Sequence, residues 1–202
     1  MSWWLTSRRL PLTLVVTLLT WLVIATVGGS AVPVPQFGGA GRAAVPLALL
    51  VSVLPAVAVA AGRARAIGLE AVAVRPVGRA DALVLLLVPV SAAAVGLAVH
   101  LLLADPAAAR ISAQALRNLV LHLGLAACAR PLLGRQAAVL APVLYAFVSA
   151  AFGLGPGGHP HRWAWPAAGP ADPVALAGAV AVLAAGLLVE LRQDRPRRHP
   201  VA

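Results

Sequence analysis

The sequence predicts an all-α membrane protein: a polytopic bundle of six transmembrane helices with both termini in the cytoplasm. Three observations predict it. First, 61% of the 202 residues are hydrophobic and only 11% are charged, with a mean hydropathy of +0.91. A soluble domain carries about 25% charged residues, so this chain cannot clothe a water-facing surface and one soluble domain of this length is excluded. Second, six apolar runs approach the length of about 20 residues that crosses a bilayer as a helix. Third, the 16 basic residues are all arginine, and they fall mostly on alternate sides of those runs.

The runs are about 10–27, 43–61, 82–104, 111–129, 136–154 and 173–191, in one membrane domain over 1–202. Each break has a physical cause. Gly28-Gly29-Ser30 through Pro33-Val34-Pro35 ends the first run, because Gly and Pro punctuate helices. The polar stretch from Gly62 to Arg79 ends the second, and Asp105-Pro106 the third. Arg130-Pro131 with Gly134-Arg135 ends the fourth, and the Gly-, Pro- and Trp-rich stretch from Gly155 to Asp172 ends the fifth. The sixth runs into Arg192. The first run is longer than a usual signal-peptide core and lacks a small-residue cleavage site, so it is expected to stay as an anchor. Pro46, Pro55, Pro89 and Pro142 lie within or near spans, where a missing N–H tends to kink a helix.

Six spans place Arg8, Arg9, Arg63, Arg65, Arg75, Arg79, Arg130, Arg135, Arg192, Arg195, Arg197 and Arg198 on one side. Arg42, Arg110, Arg117 and Arg162 fall on the other. Short arginine-rich loops stay in the cytoplasm, which sets both termini inside a cell membrane. The net charge of +10 therefore reads as membrane orientation and not as nucleic-acid binding. The preference for Ala, Gly, Pro and Arg over Lys is that of GC-rich coding and fits a bacterial source. Cys128, the single cysteine, excludes an intrachain disulfide and reads as a small buried hydrophobe.

No enzyme signature is present. There is no G-x-S-x-G, no paired-aspartate cluster and no Cys-x-x-Cys. Without a lysine, the phosphate-reaching residue of a P-loop cannot exist, so the chain cannot itself be a P-loop ATPase. No cofactor is expected. His159 and His161 lack the third and fourth ligands of a metal site, so no metal is expected. Trp163 and Trp165 beside them read as anchors at the headgroup level, as do Trp3, Trp4 and Trp21. In the last span, Ala177-Ala181-Ala185 and Gly178-Val182-Gly186 form adjacent small-residue stripes. Such stripes let helices approach closely, inside the bundle or at a subunit contact.

The candidate polar site lies on the third and fourth spans. Gln114, Asn118 and His122 recur every four residues and share a helix face, with Arg117 beside them. His100 ends a face begun by Ala92 and Gly96 on the preceding antiparallel span, at a depth similar to Gln114 or Asn118. Polar groups in a bilayer face a bundle interior or a wet cavity. His100, Gln114, Arg117, Asn118 and His122 thus either line an outer-leaflet cavity or bond the helices to one another.

The longest cytoplasmic connection holds Leu69-Glu70-Ala71-Val72-Ala73-Val74-Arg75-Pro76-Val77-Gly78-Arg79. This stretch resembles the first cytoplasmic loop of actinobacterial ABC-exporter permeases of the type 2 class. Arg117-Asn118-Leu119 through Gly124-Leu125-Ala126, then Leu132-Leu133-Gly134, and Trp163-Ala164-Trp165-Pro166 are similar in flavour. The resemblance implies a permease subunit of an export system that pairs with a separate ATPase and forms a homo- or hetero-dimer. It also implies that Glu70, Arg75 and Arg79 belong to a loop that transmits ATP-driven motion. Such permeases carry a longer interfacial helix before the first span, for which only Ser2 to Arg9 stand here. The alternatives are a small substrate-binding subunit of a vitamin uptake transporter, and a non-transporting accessory or immunity protein of the membrane.

Overall fold

The computed structural model describes residues 9–37, 42–64, 77–155 and 157–193. The described chain is mostly helical. In order it forms α1 (Leu10–Val27), a hairpin of β1 (Ala31–Pro35) and β2 (Arg42–Pro46), α2 (Leu47–Val51), α3 (Leu54–Ala64), α4 (Val77–Leu103), α5 (Pro106–Leu133), α6 (Arg135–Phe152), a 3-10 turn at Trp165–Ala167, and α7 (Pro173–Gln193). Four of these helices, α1, α4, α6 and α7, are long and apolar enough to cross a membrane. Their outward faces carry uncovered large side chains, among them Leu12, Leu18, Leu22, Leu83, Val90, Leu97, Leu144, Phe147, Leu176 and Leu188. An apolar outer surface of this extent belongs to a protein that has lipid as its solvent.

Two aspartates start helices. Asp105 precedes Pro106 and accepts from Ala107 N at 2.8 Å. Asp172 precedes Pro173 and accepts from Val174 N at 2.9 Å and Ala175 N at 3.0 Å. A carboxylate N-cap satisfies helix-start donors that would otherwise be orphaned, and a following proline is already set at helical φ. The first of these caps moves the start of α5 to 106, earlier than the apolar run that begins at 111. The expected third span is likewise extended back to Val77.

The expected span 43–61 is corrected. Residues 42–46 are strand, paired antiparallel with 31–35 in the register Val32↔Val45 and Val34↔Ala43. A two-stranded hairpin therefore interrupts an otherwise helical chain. Pro46 disfavours helix at Val45 before it, and extended backbone finds its partner in the strand across the loop. Val34 and Val45 then pack on Leu49, Leu50, Ala150 and Ala167. Gln36 donates to Ala150 O at 2.6 Å, and the Phe37 ring stacks on Phe152 at 5.2 Å. The hairpin is thus pinned to the end of α6. What remains of the second span is the broken pair α2–α3. Pro55 has no N–H to offer the Val51 carbonyl, and the helix gives way at Ser52–Val53.

α5 is the hub: α1, α2, α3, α4, α6 and α7 all pack on it. Its closest neighbour is α7, and glycines set that distance. A Cβ on Gly124 would lie 2.6 Å from Leu183 N, and one on Gly186 would lie 2.8 Å from the Ala127 methyl. Of the two stripes on α7, it is Gly178, Val182 and Gly186 that turn inward, while Ala177, Ala181 and Ala185 are exposed. Trp21 does not sit at the headgroup level as expected. It is buried at 1% exposure in a slot made by Gly96, whose absent Cβ would lie 3.1 Å from the indole Nε1. Trp3 and Trp4 lie outside the described residues.

The α5–α7 contact generates a prediction. Gly124→Val places methyls on the Leu183 backbone, and overpacking of this kind costs about 1–3 kcal/mol. Thermal unfolding in detergent is expected to fall accordingly. Gly169→Ala, where a Cβ meets nothing within 4 Å, is expected to leave the transition unchanged.

Candidate functional site

Polar chemistry concentrates at the two ends of α5. At one end four charged side chains from four helices meet below the surface. Arg63 closes α3, Asp81 lies in the first turns of α4, Arg130 is near the end of α5, and Glu190 is near the end of α7. Arg63 Nε donates to Asp81 Oδ2 at 3.2 Å, and its Nη2 contacts Glu190 Oε1. Arg130 Nη1 lies 3.4 Å from the same Asp81 oxygen and 4.0 Å from Glu190 Oε2. Asp81 is 2% exposed and Glu190 0%. Two guanidiniums and two carboxylates make the quartet formally neutral. Charges are stripped of water here, so each survives only by meeting its opposite at close range.

The sequence reading missed this quartet. A signal was present: Asp81 immediately precedes the apolar run 82–104 and Glu190 is the next-to-last residue of the run 173–191, both on the side that holds most of the arginines. An acid abutting an apolar span needs a cation, and Arg63 and Arg130 stand at the same end.

At the other end, Gln114, Arg117 and Asn118 come together as their spacing predicts, and the loop before α7 folds onto them. Arg117 is 4% exposed. Its Nη2 donates to Trp165 O and Ala168 O, both at 2.9 Å, and its Nη1 to Gly169 O. Asn118 Oδ1 accepts from Arg117 at 3.3 Å, while Asn118 Nδ2 donates to Pro166 O at 3.1 Å. Gln114 Nε2 reaches Ala168 O at 3.0 Å and Pro166 O at 3.3 Å. The planar donors of one helix face are thus spent on the carbonyls of residues 165–169, in and just after a 3-10 turn. The Tyr145 hydroxyl bonds Trp163 O, and the Trp165 ring lies over Gly178.

The other two members of the predicted set lie apart from this knot. His122 is one turn deeper along α5, fully buried, with neither ring nitrogen hydrogen-bonded. His100 is half-buried near the end of α4, its Nδ1 also without a hydrogen bond. Of the loop residues, Glu70 and Arg75 fall outside the described residues, and Arg79 is exposed in the first turn of α4. Among the described residues no group of three or more His, Cys, Asp or Glu gathers as a metal site would require. His161 instead stacks on Trp163 at 6.2 Å.

No known protein family, curated protein or solved structure matches this chain.

Two substitutions separate the ends. Glu190→Ala leaves buried guanidiniums with too little negative charge, a loss of about 3–5 kcal/mol for a broken buried pair. It is expected to reduce accumulation of folded protein and to lower the unfolding temperature sharply. Asn118→Leu removes bonds to the loop worth about 1 kcal/mol each in a membrane. It is expected to lower the unfolding temperature modestly and to make residues 155–172 sensitive to protease, with membrane insertion unchanged.

Proposed function

We propose that the chain is the membrane subunit of an ABC-type export system, with six spans, both termini cytoplasmic, and a separate ATPase as partner. The observation that carries this reading is the position of the ion-paired quartet. The stretch that resembles a permease coupling loop, residues 69–79, lies across the connection from α3 into the first turn of α4. The two helices are clamped at the loop's stems by Arg63 and Asp81. The same pair is tied to α5 and α7 through Arg130 and Glu190. Force applied to the loop by a docked ATPase reaches four helices at once, because none of the four ends can move without uncovering a buried charge. Glu70, Arg75 and Arg79 are the loop's contacts in this reading.

The six-span arrangement is supported by the same contacts. The end of α3, the start of α4, the end of α5 and the end of α7 meet at one level, as alternate crossings require. Arg9 and Arg135 begin α1 and α6, at ends that the same alternation assigns to that level. α2–α3 then serves as the second, broken crossing, and α5 as the polar, sheathed fourth.

One observation favours the second reading, a non-transporting accessory membrane protein. Gly124 and Gly186 bring α5 and α7 into backbone contact, which leaves no conduit between them. In the transport reading the path therefore runs at an interface between copies, where the exposed Ala177-Ala181-Ala185 stripe gives a close-packing face.

Two measurements test the proposal. Reporter fusions at Arg79 and at the C-terminus are expected to read inside, and fusions at Gly38 and Gly158 outside; an outside reading at the C-terminus removes the six-span arrangement. The protein is expected to co-purify with a P-loop ATPase encoded nearby. Exposed ion pairs contribute only about 0–1 kcal/mol, so Glu70→Ala or Arg75→Ala should spare insertion and most of the docking while reducing substrate-stimulated hydrolysis. If no ATPase co-purifies under any nucleotide condition, the accessory-protein reading replaces this one.

A further inference from the structure

The β-hairpin stands at the end of the bundle away from the ion quartet, where α1 and α6 finish. Its inward face, with Val34 and Val45, is packed. Its other face is bare: Ala31, Pro33, Pro35 and Ala44 are exposed, and so is Phe37 just beyond β1. We infer that this bare face rests on lipid, with the hairpin set at the boundary of acyl chains and headgroups.

Four observations converge. The first is composition. A two-stranded hairpin with one packed face normally turns polar residues to water on the other. Here the exposed positions are alanine, proline and phenylalanine, and Arg42 is the only charged residue between Arg9 and Arg63.

The second is the edge of β1. An open sheet edge is poorly tolerated in lipid, because no water meets its N–H groups. Pro33 faces Ala44 and Pro35 faces Arg42 across the hairpin. Proline cannot donate to the ladder, so the pairs that exchange hydrogen bonds are Val32 with Val45 and Val34 with Ala43. Positions 33 and 35 therefore point to the open edge, and neither has an N–H to leave unmet. Two positions on, Phe37 N donates to Ala151 O at 3.2 Å, beside the Gln36 bond to Ala150 O. Both carbonyls belong to the last turn of α6, which has no donors of its own for them.

The third is continuity. Leu140, Leu144, Val148 and Phe152 recur every four residues along α6 and are all exposed, which makes them its lipid-facing row. Phe37 stacks on Phe152 at the end of that row, so the bare face of the hairpin prolongs it. The fourth is depth. Arg9 precedes α1 and Arg135 opens α6, and each helix has 18 residues. That is about 27 Å at the usual rise, against a hydrocarbon core of about 30 Å. With these arginines at one headgroup level, both helices finish at the opposite boundary, where the hairpin begins. The inference requires only that the bundle sit in a bilayer and is independent of any transport activity.

The test uses the full-length protein with Cys128→Ala in nanodiscs of phosphatidylcholine and phosphatidylglycerol, which leave both membrane faces open. A nitroxide is attached through Ala31→Cys or Ala44→Cys, both at exposed alanines where the fold is kept. Leu144→Cys on α6 gives the lipid reference, and Ala107→Cys, exposed beside Asp105, gives the water reference. Collisions of the label with oxygen, which gathers in lipid, and with a water-soluble nickel chelate are read by electron paramagnetic resonance. The oxygen-to-nickel ratio at Ala31→Cys and Ala44→Cys is expected to lie nearer that of Leu144→Cys than that of Ala107→Cys. A ratio at both positions equal to that of Ala107→Cys places the face in water and overturns the inference. Labels shielded from both reagents are covered by protein, which also overturns it; dipolar broadening between them would identify the cover as a second copy of this chain.

Discussion

A polar side chain inside a bilayer must be met by protein, because no water is there to meet it. That constraint organises this molecule around α5. The row Gln114, Asn118, His122, Ala126, Arg130 steps along one face at four-residue intervals and runs from one end of the bundle to the other. No other helix of spanning length is so polar, and none is so thoroughly surrounded. The apolar helices α1, α4, α6 and α7 form the sheath, with their leucines outward and their small residues inward. Exchanging the roles would expose an asparagine and an arginine to lipid and gain nothing.

The two ends of that row are satisfied by different means. Near Arg117 the solution is neutral: backbone carbonyls in and just after the 3-10 turn at Trp165–Ala167 accept from a guanidinium and two amides. This makes the loop part of the bundle. Near Arg130 the solution is ionic, with two carboxylates supplied by α4 and α7. Coulomb attraction in a poorly screened setting is strong, but so is the cost of removing four charges from water. The quartet is therefore better understood as fixing which helix ends meet than as a large net gain in stability. Neutral contacts of equal area would tolerate a helix sliding by a turn; paired charges do not.

Much of this was legible in sequence, and the reasons are specific. Breaks at Gly28, Asp105-Pro106 and Gly134 are chemical, so helix ends fall close to them. The four-residue spacing of Gln114 and Asn118, with Arg117 beside them, predicted that these three would act together, because helical periodicity is local. The strand at 42–46 was not legible. Ala43-Ala44-Val45 is an apolar run too short to show a period, and its partner lies across a loop. Trp21 was assigned by residue type to the headgroup level, yet its position depends on a gap left by Gly96 on another helix. The ion quartet depends on α4 and α5 returning Arg130, and α6 and α7 returning Glu190, to the level of Arg63, a fact of tertiary folding. Composition can say that Asp81 and Glu190 need partners, but not which arginine reaches which oxygen.

The rigidity of α5 links the two ends mechanically. Arg117 and Arg130 are separated by thirteen residues of continuous helix, about 20 Å at the usual rise. Pro131 lies beyond that stretch and Gly124 within it is locked against Leu183. A helix of this kind does not bend at its middle to absorb a displacement; it tilts or slides as a body. Its neighbour α2–α3 is built the other way, with a break at Ser52–Val53 after its first five residues. A shift of the quartet would therefore be conveyed along α5 to the tethered loop, while α2–α3 takes up the difference by flexing at its break. The fold thus pairs one continuous polar helix with one broken apolar helix pair. Any motion the bundle makes is expected to divide along that line, with the loop at 163–169 following α5 and the β-hairpin following α2 and α6.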